Sequence, residues 1–269
     1  MPEKLSGADQ MVYVGTSGYS YEDWVGTVYP PGTEKRDMLR AYVEKFKAVE
    51  LNFTYYRQPS ARTIEGIVKK LPQDFRLFAK ANSGTTHDLD REAAGPFKEG
   101  MRPAREAGVL AGVLAQFPFS FKNMPESREY LEQLAEDFAG WNMTIEFRSR
   151  DWSKMSTLDL LREHGLGFCC VDEPHELGLM PPAAEATTGT AYVRFHSRDK
   201  EKWYGHGAKE RYNYLYSEDE LAEWKPRVKK LDDISDAVYV FFNNCHAGHA
   251  AVNAEQFRGM LGDLGLVAQ

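Results

Sequence analysis

The chain has 269 residues, 42% hydrophobic and 13% aromatic, enough to bury a sizeable core as one large α/β barrel or two modest domains. Its net charge of -7, from 33 basic and 40 acidic residues, disfavours nonspecific attraction to nucleic acid or an anionic membrane. The three cysteines, Cys169, Cys170 and Cys245, form no CxxC; they argue against a disulfide framework or structural zinc and read as buried small hydrophobes.

The chain opens on "MPEKLSGADQ", which lacks the apolar stretch of a signal peptide, and no apolar run reaches membrane-spanning length. A cytoplasmic protein without a membrane partner is expected. No Gly/Ser-rich or Pro-rich linker interrupts the sequence, so residues 1–269 are read as a single domain.

The first strand is "MVYVGTS" (11–17), and its end runs into Gly18, Tyr19, Tyr21 and Trp24. Glycines there are expected to let a ligand approach the backbone, with the rings as walls or lid. An accessory core over the barrel top explains the rings equally well. Further strands follow at "AVELN" (48–52), "FRLFAK" (75–80), "VLAGVLAQF" (109–117), "NMTIEF" (142–147), "LGFCCVD" (166–172), "TAYVRFH" (190–196) and "AVYVFFNN" (237–244).

Helix punctuation separates them: Ser60, Ser127, Ser156 with Asp159 and Gly165, and Ser217 with Glu220. After strand six, Pro174, Pro181 and Pro182 leave no room for a full helix, so that unit should be irregular. Strand ends recur about every 32 residues, the length of one βαβ step, and eight such steps close a TIM-type (β/α)8 barrel.

Strands buried on both faces should be almost wholly apolar. Their C-terminal ends here instead carry Ser17, Glu50, Asn52, Lys80, Gln116, Glu146, Asp172, Arg194, His196, Asn243 and Asn244. Period-two alternation puts Glu50 with Asn52, Glu146 with Arg148, and Arg194 with His196 on common faces, at the rim where barrels of this type hold their active sites. Mutual neutralisation as packed ion pairs is the structural alternative. A site role predicts that Glu146→Gln melts within a few degrees of the parent.

The motifs "GTSGY", "DWVGTVYP", "VELNFTYYRQP", "FAK", "AQFPFSF", "IEFRSRDW", "YVRFHSR" and "VYVFFNNCHAGHAAVNA" run almost end to end. With them the chain resembles the YecE-like family, a domain of unknown function (72). The resemblance implies a TIM-type barrel. The positions matching the family's motifs are Glu50, Asn52, Tyr55, Lys80, Gln116, Glu146, Arg148, Arg194, His196, Asn243, Asn244 and Asn253.

The chemistry these residue types offer is acid/base catalysis on a small polar or anionic substrate, phosphorylated or sugar-like. Glu50, Lys80, Glu146 and His196 are the candidate catalytic groups, His196 titrating near neutrality. Asn52, Tyr55, Gln116, Arg148, Asp172, Arg194, Asn243 and Asn244 are the candidate substrate-binding groups. Lys80 suits a Schiff base if desolvated, although a salt bridge to a glutamate is its expected state. Asn243 and Asn244 offer an anion cradle, with helix capping as the alternative for Asn244.

No nucleotide-cofactor fingerprint occurs, and cofactor and metal remain unassigned. A divalent-metal hydrolase or isomerase, by analogy with xylose isomerase and apurinic endonuclease barrels, would use Glu50, Glu146, Asp172 and His196 with His87 or His175. A nucleic-acid partner would use the aromatic and basic loop 194–216, which reads better as a substrate lid given the overall acidity.

Overall fold

In the computed structural model, which describes residues 11–204 and 207–269, eight parallel strands close into a barrel. They are β1 (Met11–Ser17), β2 (Ala48–Leu51), β3 (Arg76–Lys80), β4 (Leu110–Gln116), β5 (Met143–Glu146), β6 (Gly167–Asp172), β7 (Thr190–Phe195) and β8 (Ala237–Phe242). Each pairs with the next in sequence. β1 closes the ring, pairing with β8 from Met11 to Thr16 and with β2 at Thr16 and Ser17. The segment MPEKLSGADQ lies outside the described residues.

Seven helices cover the strands: α1 (Met38–Val43), α2 (Ala61–Val68), α3 (Ala94–Glu106), α4 (Pro125–Asp137), α5 (Met155–Glu163), α6 (Lys225–Ile234) and α7 (His249–Gly262). The step from β6 to β7 has no such helix, only a 3-10 turn at His175–Leu177, as the prolines there require. Ser60 caps α2 by accepting the Thr63 N–H, and Ser217 with Glu220 forms a capping box on the short helix Glu218–Ala222. Ser127 and Ser156 are not caps. α4 starts earlier, at Pro125, where a missing N–H costs nothing, and α5 starts at Met155.

A short strand not foreseen from sequence, β9 (Val267–Ala268), pairs with Met11 and Val12 of β1. It completes the part of β1 that β2 does not reach, giving backbone groups there a ladder partner.

Inside the barrel, Phe78 meets Tyr192 at 4.6 Å and Tyr239 at 4.8 Å, and Tyr239 stacks on Tyr13 at 5.0 Å. These rings form a dry floor, and the charged side chains at the strand ends stand on it. Tyr192 joins the layers, its ring on Phe78 and its hydroxyl on Glu50.

The first loop makes an accessory core. Trp24 is buried, donates Nε1–H to the Cys245 carbonyl at 2.7 Å and packs between Tyr21 and Tyr29. Nor do the glycines admit a ligand. A Cβ at Gly15 would lie 2.2 Å from the Ala48 carbonyl oxygen, and one at Gly18, whose φ is 95°, would strike the Tyr21 hydroxyl at 2.6 Å. They let the neighbouring strand and Tyr21 approach, the Tyr21 hydroxyl donating to the Ser17 carbonyl.

Candidate active site

Strand alternation turns Tyr192, Arg194 and His196 inward together, and Arg194 becomes the centre of the site. Its Nη1 donates to Glu146 Oε2 at 2.6 Å; its Nη2 donates to Glu50 Oε1 at 2.7 Å and to Ser17 Oγ at 3.3 Å. The second oxygen of Glu50 accepts the Tyr192 hydroxyl at 2.6 Å. The second oxygen of Glu146 receives Arg148 Nη2 at 2.8 Å and His196 Nε2 at 3.1 Å. Arg148 Nη1 then donates to Glu173 Oε2 at 2.5 Å, and the Met180 N–H closes on Glu173 Oε1. All the residues in this chain of contacts are buried, Met180 entering by its backbone N–H.

Such packing meets the demand that buried charge be paired and hydrogen-bonded. Burial alone would raise the Glu146 carboxyl, but Arg148, Arg194 and His196 hold it well below the usual range. It is a permanent anion. His196 is pushed well below its usual value by burial and by Arg148, so it is neutral and does not titrate near pH 7 as its residue type suggested. The Asn243 amide donates to His196 Nδ1 at 3.1 Å, which places the ring proton on Nε2, facing Glu146. Glu173 goes the other way, to about 7, because burial and the Glu146 charge outweigh Arg148.

The other side of the mouth, from β2, β3 and β4, is open to solvent. Asn52, Tyr55, Lys80 and Gln116 are half-buried, and His87 is exposed. Lys80 Nζ donates to Gln116 Oε1 at 2.9 Å and sits 4.3 Å above the Tyr55 ring. The expected salt bridge is not made, since no carboxylate pairs with Lys80 among the described residues. Burial and the nearby Arg194 and Arg148 lower its ammonium to about 7, against a weaker pull from Glu146 and Glu50. Asn52 Oδ1 is buried with no hydrogen-bond partner among the described residues.

Of the sequence candidates, Glu50, Glu146, Arg148, Arg194, His196 and Asn243 form the paired cluster, and Lys80, Gln116, Tyr55 and Asn52 the open side. Asp172 and Asn244 face away from both. Asp172 is held in the outer layer by Arg198 at 2.7 Å, the Tyr216 hydroxyl at 2.9 Å and Trp224 Nε1 at 2.5 Å. Asn244 donates to the Tyr214 carbonyl and to Asn253 Oδ1, and does not cap α7, whose N-cap is Gly248. The cradle expected there is partly filled, because the Ala247 N–H is taken by Asp23.

Sequence reasoning missed Glu173, although alternation along Cys169, Val171 and the next inward position points to it. It also missed Tyr192, which reads as one more apolar strand residue, and left Ser17 out of the site set. The loop after β7 settles onto the cluster. Trp203 is buried, with Arg148 5.7 Å over its ring and the His196 ring at 6.3 Å, and Tyr216 is buried beside Asp172. Residues 205 and 206 of this loop lie outside the described residues.

The donor set of a divalent-metal site is not assembled. Glu50 and Glu146 spend their oxygens on arginine, tyrosine and histidine, and Asp172 points outward. His87 lies at the Tyr55 edge and His175 by Glu176. No group of three or more His, Cys, Asp or Glu that could hold a metal ion occurs among the described residues. No helix among them is long and apolar enough to cross a membrane.

This architecture recurs in known proteins. The chain is 33% identical to UPF0759 protein YunF of Bacillus subtilis (strain 168), over 93% of this chain and 95% of the relative. A crystal structure of a DUF72 family protein from Thermotoga maritima matches with a TM-score of 0.88 and 43% identity, covering 94% of this chain and all of that one. A DUF72 family protein from Enterococcus faecalis matches with a TM-score of 0.82 and 27% identity, covering 94% and 96%. Residues 13–267 match the family described as "Protein of unknown function DUF72", and the chain belongs to that family, for which YecE-like is another name.

Proposed function

We propose that the chain is an enzyme acting by acid/base chemistry on a small polar or anionic substrate, phosphorylated or sugar-like, at the C-terminal mouth of the barrel. The observation that carries this reading is Lys80, an amine with no carboxylate partner on the solvent-facing side of an otherwise neutralised charge cluster. With its ammonium lowered to about 7, Lys80 divides between amine and ammonium near neutral pH, where a proton-transfer group is most effective.

The roles follow from the contacts. Lys80 takes and returns the proton, while Gln116 and Asn52 offer hydrogen bonds to a substrate hydroxyl or carbonyl. Tyr55 forms one wall. Glu50, Glu146, Arg148, Arg194, His196 and Asn243 act as positioning residues, fixing a charged surface beneath the substrate without being consumed. Glu173, at about 7, supplies a second group that exchanges a proton near neutrality. Nucleic acid is the less favoured partner, because the chain carries a net charge of -7 and Trp203 is buried.

The test is ligand-induced thermal stabilisation across sugar phosphates, hydroxy acids and keto acids, for the parent and Lys80→Met. The expected result is stabilisation by at least one class that is lost in the variant, while the unliganded variant melts no lower than the parent. Equal stabilisation of both proteins, or none in either, would count against the reading.

A further inference from the structure

The open side of the mouth offers a more specific chemistry than proton transfer. We propose that Lys80 is a nucleophile that condenses with the carbonyl group of a small aldehyde or ketone substrate to form an iminium. This rests on the proposed active site and narrows its substrate class to carbonyl compounds.

The geometry favours attack by nitrogen. Among the described residues Lys80 Nζ has one hydrogen-bond acceptor, Gln116 Oε1 at 2.9 Å, which takes an N–H and leaves the nitrogen lone pair of the neutral amine directed elsewhere. The Tyr55 ring at 4.3 Å fixes a second side and brings no anion. A carboxylate in salt-bridge contact would hold the nitrogen as ammonium, which has no lone pair to donate; none among the described residues does so. Burial first, and then the Arg194 charge, outweigh the pull of Glu146 and Glu50, so the amine form is already populated near neutral pH. Asn52 Oδ1, buried and unpartnered among the described residues, comes from the neighbouring strand end. It is an acceptor for a substrate hydroxyl.

The reaction balances without an oxidant or reductant. The Nζ lone pair forms the N–C bond as the carbonyl π pair moves to oxygen. A proton passes from nitrogen to that oxygen, giving a carbinolamine. The hydroxyl then takes a proton from solvent at the open mouth and leaves as water, while the nitrogen lone pair closes the C=N bond. The product cation withdraws electrons strongly from the bonds to the former carbonyl carbon. Such a centre suits proton abstraction or carbon–carbon cleavage next to a carbonyl.

The test uses the full chain with glyoxylate, a small aldehyde carrying a carboxylate, and cyanoborohydride, which reduces the iminium to a stable carboxymethyl-lysine. Peptide mapping follows Lys80 against the exposed Lys35 and Lys69 between pH 5.5 and 9. At pH 7 only roughly one-thousandth of an ordinary lysine amine is neutral, so Lys80 should be labelled at least about tenfold faster than both. Its rate should level off above pH 7 while theirs keeps rising. Lys80→Arg should lose this fast labelling while its far-ultraviolet circular dichroism stays that of the parent. Labelling of Lys80 no faster than Lys35 and Lys69 overturns the iminium proposal. The outcome is separable from the broader reading: ligands that stabilise the parent but not Lys80→Met would uphold acid/base use of Lys80 even without a trapped adduct.

Discussion

On the side of the mouth built from β5 and β7, with Glu50 reaching in from β2, Glu50, Glu146, Arg148, Arg194 and His196 occupy one another's carboxylate oxygens and much of their donor capacity. On the side built from β3 and β4, Lys80 meets only an amide oxygen and a ring. The two sides share a floor and a rim, and differ in whether a charge finds its opposite. Where it does, most groups are fixed in one protonation state: Glu146 as an anion, Arg148 and Arg194 as cations, His196 as a neutral ring; Glu173, paired with Arg148 yet raised to about 7 by burial and the Glu146 charge, is the exception. Where it does not, the proton becomes exchangeable near pH 7. Fixed charge and exchangeable proton thus lie side by side within one ring of residues, as a preorganised acid/base site requires.

Breaking the paired side should cost most. Arg194→Met leaves two buried carboxylates facing each other without their shared cation, and should destabilise the fold by about 3–5 kcal/mol, read from urea unfolding followed by circular dichroism. A loss below about 1 kcal/mol would mean that the cluster is not a strut. Glu146→Gln is milder because it keeps shape and one acceptor. It still withdraws the anion from Arg148 and Arg194, and about 1–3 kcal/mol of stability should go with it. This departs from the near-parental melting that the sequence alone suggested, since the three partners of Glu146 become visible only in the fold.

Glu173 sharpens the comparison through its pH dependence. Its carboxyl is raised to about 7, first by burial. Between the ordinary carboxyl range and pH 7 the folded protein therefore holds a proton that the unfolded chain has released, and stability falls as pH rises through that interval. Glu173→Gln should flatten the fall by about 1–3 kcal/mol, measured as the difference in urea midpoints between pH 4.5 and 7.5. An unchanged slope would show that Glu173 is ionised throughout.

The barrel was legible because its signal is repetitive. Eight apolar runs with polar ends needed only spacing and the rule that buried parallel strands are apolar. The polar set was legible for the same reason, a carboxylate or amide being out of place in such a strand. What the sequence hides is direction and partnership. Asp172 was the last polar residue of its run, yet parity along Cys169 and Val171 turns it outward to Arg198, Tyr216 and Trp224 and gives its place to Glu173. His196 reads as a titrating group until the Arg148 charge and its burial are known. The want of a carboxylate beside Lys80 is a property of three strands at once. β9 escaped notice because two residues carry no periodicity.

The account turns on the proton of Lys80, and a direct titration tests it. Protein carrying carbon-13 at the lysine ε position, with Lys80→Arg to assign the signal, would be followed by NMR from pH 5 to 11. A fixed-charge cluster beside an unpaired amine predicts one lysine resonance with a midpoint about 7, absent from the variant, while stability rises with pH between 7 and 10.5 as the unfolded chain retains the proton the folded one has lost. A Lys80 resonance that moves with the surface lysines near the ordinary value of about 10.4 would contradict the account.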